Sequence, residues 1–245
     1  MSLFQHLAEL RNRLFKAVIA LSVGTVIGYL LFPMLIDLIM EPYCDVADRI
    51  RPDGTCTLVA LTPLEPFSVR LKTSVVVGLF IGGPVIFYQL WRFITPGLTT
   101  KERRYALPFV TISQIMFAAG IFFAYLVIPF GLRTLLGLGG PSIEPLLSAS
   151  EYLSFFLTMS IAFGVVFEMP LILIFLSMVG VLKAAALRKA RPYAILGSVV
   201  AAAFITPTND AITLFFMAGP MIFFYEVSIF AAWLIERSRR KRARE

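Results

Sequence analysis

Tyr152-Leu-Ser-Phe-Phe-Leu-Thr-Met-Ser-Ile-Ala-Phe-Gly-Val-Val-Phe-Glu-Met-Pro-Leu-Ile-Leu-Ile-Phe-Leu-Ser-Met-Val-Gly-Val181 is the stretch that decides the fold. Glu168 is its one charged residue. As a helix these roughly 30 residues would reach about 45 Å, enough to cross a hydrocarbon core of about 30 Å with tilt. Similar apolar runs lie on either side, at Leu14–Leu35, Phe67–Leu90, Tyr105–Leu132, Pro192–Ile205 and Ala211–Ile235. Together they use most of the 245 residues, of which 58% are hydrophobic and 15% charged. An ordinary soluble domain has about 45–50% apolar and about 25% charged residues. The expectation is therefore an all-α integral membrane protein of six transmembrane helices, residues 1–245 forming a single polytopic domain. The first run exceeds a signal-peptide core and has no small-x-small cleavage site after it, so it is read as a retained helix.

Basic residues orient the spans. Arg11, Arg13 and Lys16 precede the first run; Arg92, Lys101, Arg103 and Arg104 join the second to the third. Lys183, Arg188, Lys189 and Arg191 join the fourth to the fifth, and Arg237, Arg239, Arg240, Lys241, Arg242 and Arg244 form the tail. The other side keeps only Arg49, Arg51, Arg70, Lys72 and Arg133 of the 22 Lys and Arg residues. Positive charge is retained on the cytoplasmic side, so both termini are expected there, in a multi-pass protein of the cytoplasmic (inner) membrane. The basic tail reads as a topology and lipid-headgroup anchor rather than a nucleic-acid arm.

The longest connection, 36–66, is expected outside and contains Cys44 and Cys56. That location permits a disulfide; two unpaired thiols are the alternative. His6 is the single histidine and has no second ligand at metal spacing, so no metal is expected. A phosphate loop, nucleophile elbow, zinc-protease motif and dinucleotide fingerprint are all absent, which argues against an enzyme and implies no cofactor. Gly82-Gly83-Pro84, Pro108, Gly120, Pro129, Gly164, Pro170, Pro192 and Pro220 interrupt the spans instead. Such residues bend helices, so a concave wall is expected rather than a straight bundle.

Two carboxylates fall inside spans, Glu168 and Glu226. An ionised acid facing lipid costs on the order of 3 kcal/mol, so each must meet water, protein, a cation or a proton. Both are candidate intramembrane polar sites; a carboxyl satisfied by a neighbouring helix is the plainer reading. The fifth run is short, about 14 residues or 21 Å at helical rise. Its polar exit, Thr206, Thr208, Asp210 and Thr213, marks a thinned edge where another helix could dock, or simply a tight turn.

On the basic side acids are few. Glu9 and Glu102 are the two that could take arginine forks from a partner peptide. Glu102 could equally complete a capping box with Thr99, and Glu9 could pair with Arg13 one turn along its own helix.

The motifs carry a resemblance. His6-Leu-x-Glu-Leu-Arg-x-Arg-Leu14, Pro66-Phe-x5-Lys72, Pro84-x4-Gln-Leu-Trp-x-Phe-Ile-x-Pro96 and Glu102-Arg-Arg with Pro108 come first. Phe163-Gly-x-x-Phe-Glu-x-Pro170, Arg188-Lys-x-Arg-Pro-Tyr193, Thr206-Pro-x-x-Asp210 and Tyr225-Glu226 follow. In this order, over nearly the whole chain, they resemble TatC, the multispan receptor of the twin-arginine protein translocase.

The resemblance implies a concave receptor that binds twin-arginine signal peptides of folded cargo. It also implies assembly with single-span TatA- and TatB-type partners in an oligomeric complex driven by the proton-motive force. By motif position Glu102 and Phe93 match the signal-recognition loop, with Glu9 and Arg103 supporting them. Pro42 and Phe67 match sensitive positions of the outer cap, Glu168 the intramembrane acid, and Thr206–Thr213 the partner-docking edge. Leu214 stands where the family often has glutamine. An ion-coupled secondary transporter using Glu168 and Glu226 is the alternative, though no internal repeat supports it and neither acid has an evident basic partner. A membrane scaffold without signal recognition is the third reading.

Overall fold

The computed structural model describes residues 3–50, 56–94, 106–137, 147–205 and 211–242. Six helices account for nearly all of them: α1 Leu3–Ile50, α2 Glu65–Ile94, α3 Ala106–Gly137, α4 Ala149–Val179, α5 Ala184–Ile205 and α6 Ala211–Arg242. Each expected run lies on its own helix. All but α5 are long and apolar enough to cross a membrane.

The helices outlast the apolar runs. α1 continues through Pro33 and Pro42 to Ile50, so the first half of the expected 36–66 loop is helix. Asp37, Glu41 and Asp45 end the apolar run but not the helix, because Ile39, Tyr43 and Val46 recur at helical spacing and are buried in the main core. α5 likewise starts at Ala184, well before Pro192, and carries Arg188, Lys189 and Arg191 as its polar first part. An apolar run measures depth in lipid. It does not measure helix length.

α1 and α2 pack through small residues. A Cβ on Gly24 would lie 2.5 Å from the Gly78 carbonyl oxygen, and one on Gly28 2.8 Å from that of Ser74. Without side chains between them the two backbones come into close contact, which compensates for the weak driving force between apolar helices in lipid. Because Gly24 meets Gly78 and Gly28, further along α1, meets the earlier Ser74, the two helices run antiparallel.

α4 is the middle of the wall. It packs on α3, α6 and α2, while α1 packs mainly on α2 and α5 mainly on α6. Its burial follows from its sequence, apolar on all sides with Ser160 and Ser177 tucked inward. The start is a capping box between Ser148 and Glu151; the end is Gly180, whose φ of 89° suits a residue without a Cβ. Prolines lie inside every helix: Pro33, Pro42, Pro84, Pro129, Pro170, Pro192 and Pro220.

The two ends of the wall differ. One gathers the start of α1, the end of α2, the α4–α5 turn and the end of α6; it is termed the basic face. At the other end Cys44 and Cys56 form a disulfide with Cα atoms 5.3 Å apart. Just beyond it, Val59 pairs with Ser148, and the Ala149 N–H donates to the Val59 carbonyl at 3.0 Å. Buried Glu65 accepts from the backbone N–H groups of Leu61 and Ser150, both at 2.7 Å. The Tyr152 hydroxyl donates to the Ile39 carbonyl at 2.5 Å, joining α4 to α1.

Candidate functional site

On the basic face the first two turns of α1 rest against the end of α2. The His6 ring stacks on Phe93, centroids 4.6 Å apart and planes 21° from parallel. One turn on, the Arg13 Nε donates to Glu9 Oε1 at 3.0 Å, and Arg13 Nη2 pairs with the same oxygen. Of the two sequence readings of Glu9, the pair with Arg13 is therefore present. Arg92 and His6 are within electrostatic reach of that carboxylate. Arg92 also donates to the Tyr88 hydroxyl at 3.3 Å. The face thus sets one acid among several cations beside an aromatic ring. Glu102 and Arg103 lie outside the described residues.

Glu168 lies deep in the wall. Its side chain is 8% exposed, and its Oε1 has no hydrogen-bond partner among the described residues. Ser113 of α3 adjoins it, and the Ser113 hydroxyl accepts from the Trp91 indole N–H at 2.8 Å. Three helices therefore contribute to one buried polar spot, walled by Trp91, Phe109 and Phe175. Next in sequence to Ser113, Gln114 turns toward α2, donates to the Phe80 carbonyl at 3.2 Å and buries its own carbonyl oxygen with no partner among the described residues. A buried acceptor without a donor is costly, so such a spot favours a proton or a donor arriving from elsewhere. The sequence reading missed Trp91 and Ser113 here, and Gln114 on the neighbouring seam. The polar pair Ser113-Gln114 in an otherwise apolar run was the available signal.

Glu226 is different. It pairs with Arg191 of α5, Nε to Oε1 at 2.7 Å and Nη2 to Oε2 at 2.8 Å. This corrects the expectation that it has no basic partner. The pairing depends on α5 and α6 lying antiparallel, fixed nearby where the Tyr225 hydroxyl donates to the Leu187 carbonyl and the Ala184 N–H to Glu236.

Of the expected docking edge, Thr206, Thr208 and Asp210 lie outside the described residues. Thr213 belongs to α6, but its side chain is outside the description too. Leu214 is partly buried against the main core. Pro42 is fully buried, whereas Phe67 is 58% exposed.

Comparisons with known proteins agree with this geometry. The family model described as Sec-independent protein translocase protein (TatC) matches residues 5–220. The Sec-independent protein translocase protein TatC of Frankia casuarinae is 40% identical over 97% of this chain and 67% of its own length. That of Aquifex aeolicus is 37% identical over 98% of each chain. A crystal structure of the twin-arginine translocase receptor TatC superposes with a TM-score of 0.82 at 37% identity, covering 94% of this chain and 99% of that one. With the likeness spread over almost its full length, this multi-pass membrane chain belongs to the TatC family.

Proposed function

We propose that this chain is the receptor of a twin-arginine translocation system, binding the signal peptides of folded cargo on its basic face. The observation that carries the reading is the stacking of His6 on Phe93 across α1 and α2, which brings the start of α1, with Glu9 one turn along, onto the end of α2, where Arg92 is within electrostatic reach of that carboxylate. A carboxylate there offers a fork to a guanidinium, and Glu102, with Arg103 beside it, supplies the second. The aromatic and apolar residues around Phe93 suit the hydrophobic part of a signal. No covalent chemistry is called for.

In this reading the basic face is cytoplasmic, in the cell's inner membrane, and the disulfide end is outside. Single-span TatA- and TatB-type partners assemble on the wall into an oligomeric complex that uses the proton-motive force. The Thr206–Thr213 edge and the Glu168 spot are the proposed polar contacts for them. The transporter alternative loses support because Glu226 is already neutralised by Arg191, and the relatives are translocase proteins.

The test is a photo-crosslinking twin-arginine peptide added to membranes that contain the protein. Labelling is expected across residues 93–104 and the start of α1. Glu102→Ala or Glu102→Lys should weaken it while the protein still inserts; undiminished labelling in both variants would remove the site.

A further inference from the structure

Pro84 interrupts the hydrogen-bond ladder of α2. Having no N–H, it leaves the carbonyl of Phe80, one turn earlier, without its helical partner. Gln114 of α3 supplies the missing donor, its Nε2 lying 3.2 Å from that oxygen. Gly83 makes room for the amide, since a Cβ there would collide with Gln114 Oε1. The same device recurs between α1 and α2. Pro33 frees the Tyr29 carbonyl, and Arg70 Nη2 donates to it at 3.0 Å. In each case a side chain of the next helix serves the carbonyl that a proline has orphaned.

The residue before Gln114 takes a second grip on α2. Ser113 accepts the Trp91 indole N–H at 2.8 Å. Phe80 and Trp91 lie on opposite sides of Pro84, whereas Ser113 and Gln114 are adjacent. Two bonds from one place on α3 therefore bracket the joint. Bending α2 at Pro84 moves Trp91 relative to Phe80, and two adjacent residues cannot follow both, so one bond must stretch. With both bonds intact, α3 sets the angle. Phe93 follows Trp91 by two residues and rides on the arm so fixed, stacked on His6 with centroids 4.6 Å apart. That arm reaches about 13 Å beyond Pro84, so a turn of roughly 10° carries Phe93 about 2 Å, enough to part the two rings.

Resting on the reading of the basic face as a signal-peptide surface, we propose that Gln114 is a positioning residue for it. Its amide holds the Phe80 carbonyl that Pro84 leaves open, fixes the angle of α2 there, and so places Phe93 for the peptide. The acceptor end of the same amide is buried with no partner among the described residues. An apolar side chain of equal length would avoid that cost, so it is the donor that justifies a glutamine at this place.

The test uses the full chain in lipid nanodiscs, with spin labels on introduced cysteines, the native pair being joined in a disulfide. One label pair, Leu90 and Phe230, reads the arm beyond Pro84; a second, Val75 and Phe215, reads the part before it, and all four positions are exposed. Gln114→Met should shift or widen the first distance by about 2 Å and leave the second as it was. Gln114→Asn, too short to reach, should behave alike. Both variants should bind a fluorescent twin-arginine peptide about threefold more weakly, a loss in keeping with one hydrogen bond. On a Pro84→Ala background α2 supplies its own N–H, and Gln114→Met should then change neither distance nor affinity.

Two label pairs that respond alike, or not at all, would overturn the proposal, as would an equal effect with and without Pro84. Weaker binding with unmoved labels would do so too, by placing Gln114 in direct contact with the peptide. Failure of the parent reading looks different. The unaltered protein would then not bind the peptide, while the distances, read without peptide, still responded to Gln114→Met.

Discussion

Arg191 and Glu226, 35 residues apart in sequence, are joined by two bonds of 2.7 and 2.8 Å between α5 and α6, with side chains 46% and 41% exposed. Glu226 precedes Glu236, the residue that binds the start of α5, by ten positions, about 15 Å of helix. Glu226 thus lies within the apolar run of α6, while Arg191 reaches it from the polar first part of α5, and the pair is open on one side. In water an exposed pair contributes about 0–1 kcal/mol, but a lone charge within the bilayer costs about 2.5–3.5 kcal/mol. Glu226→Leu alone should consequently lower the melting temperature in nanodiscs more than Arg191→Met and Glu226→Leu combined. Simple additivity in that double-mutant cycle would mean that water, not lipid, surrounds the pair.

The buried Trp91–Ser113 bond gives a second expectation. Ser113→Ala removes the acceptor and leaves an indole N–H unpaired, at about 1–3 kcal/mol. Trp91→Phe in the same chain removes the donor as well, so the double variant should lose less than the sum of the two single ones. Thermal unfolding of the purified protein reads both. A fully additive result would show that the two side chains do not act as a pair.

Two glycines should respond with opposite sign. Gly24→Ala places a methyl 2.5 Å from a backbone oxygen of α2, a clash that the seam can relieve only by parting the helices. A loss of about 1–3 kcal/mol is expected. Gly197→Ala on α5 meets nothing within 4 Å and should gain up to about 1 kcal/mol from helix propensity. Unfolding midpoints in one detergent, compared side by side, decide it; similar losses at both positions would contradict the close approach of α1 and α2.

Reducing agent should act on the end opposite the basic face. Opening the Cys44–Cys56 bond is expected to remove roughly 2–4 kcal/mol of stability, with protease access between α1 and α2 rising first. The paired serine variant should match the reduced protein and ignore the reagent. If reductant shifts the midpoint of that variant as well, the bond is not the cause.

Much of the wall was legible because lipid imposes a simple rule on sequence. Long apolar runs mark each span, and the basic strips group their connecting segments. The extent of α1 was harder to read, since Asp37, Glu41 and Asp45 look like the start of a loop while Ile39, Tyr43 and Val46 quietly continue a helical stripe. Glu9 with Arg13 was readable because one helix supplies both residues. Arg191 with Glu226 was not, because their meeting depends on how two helices lie together. The Trp91–Ser113–Glu168 spot draws on three helices, and only its acid was conspicuous in the chain. The proposed part of Glu102 and Arg103 in recognition comes from motif position, since both fall outside the described residues.

The fastening at the disulfide end has a mechanical consequence. Glu65, Tyr152 and the Val59–Ser148 contact tie α1, α2 and α4 together at one rim, which makes that rim the natural fulcrum of any movement. Over about 45 Å of helix, a swing of roughly 5° there displaces the far tips by about 4 Å. A small loosening among the bonds at the anchored edge is thus magnified into a shift as wide as a side chain at the edge where Glu9 lies.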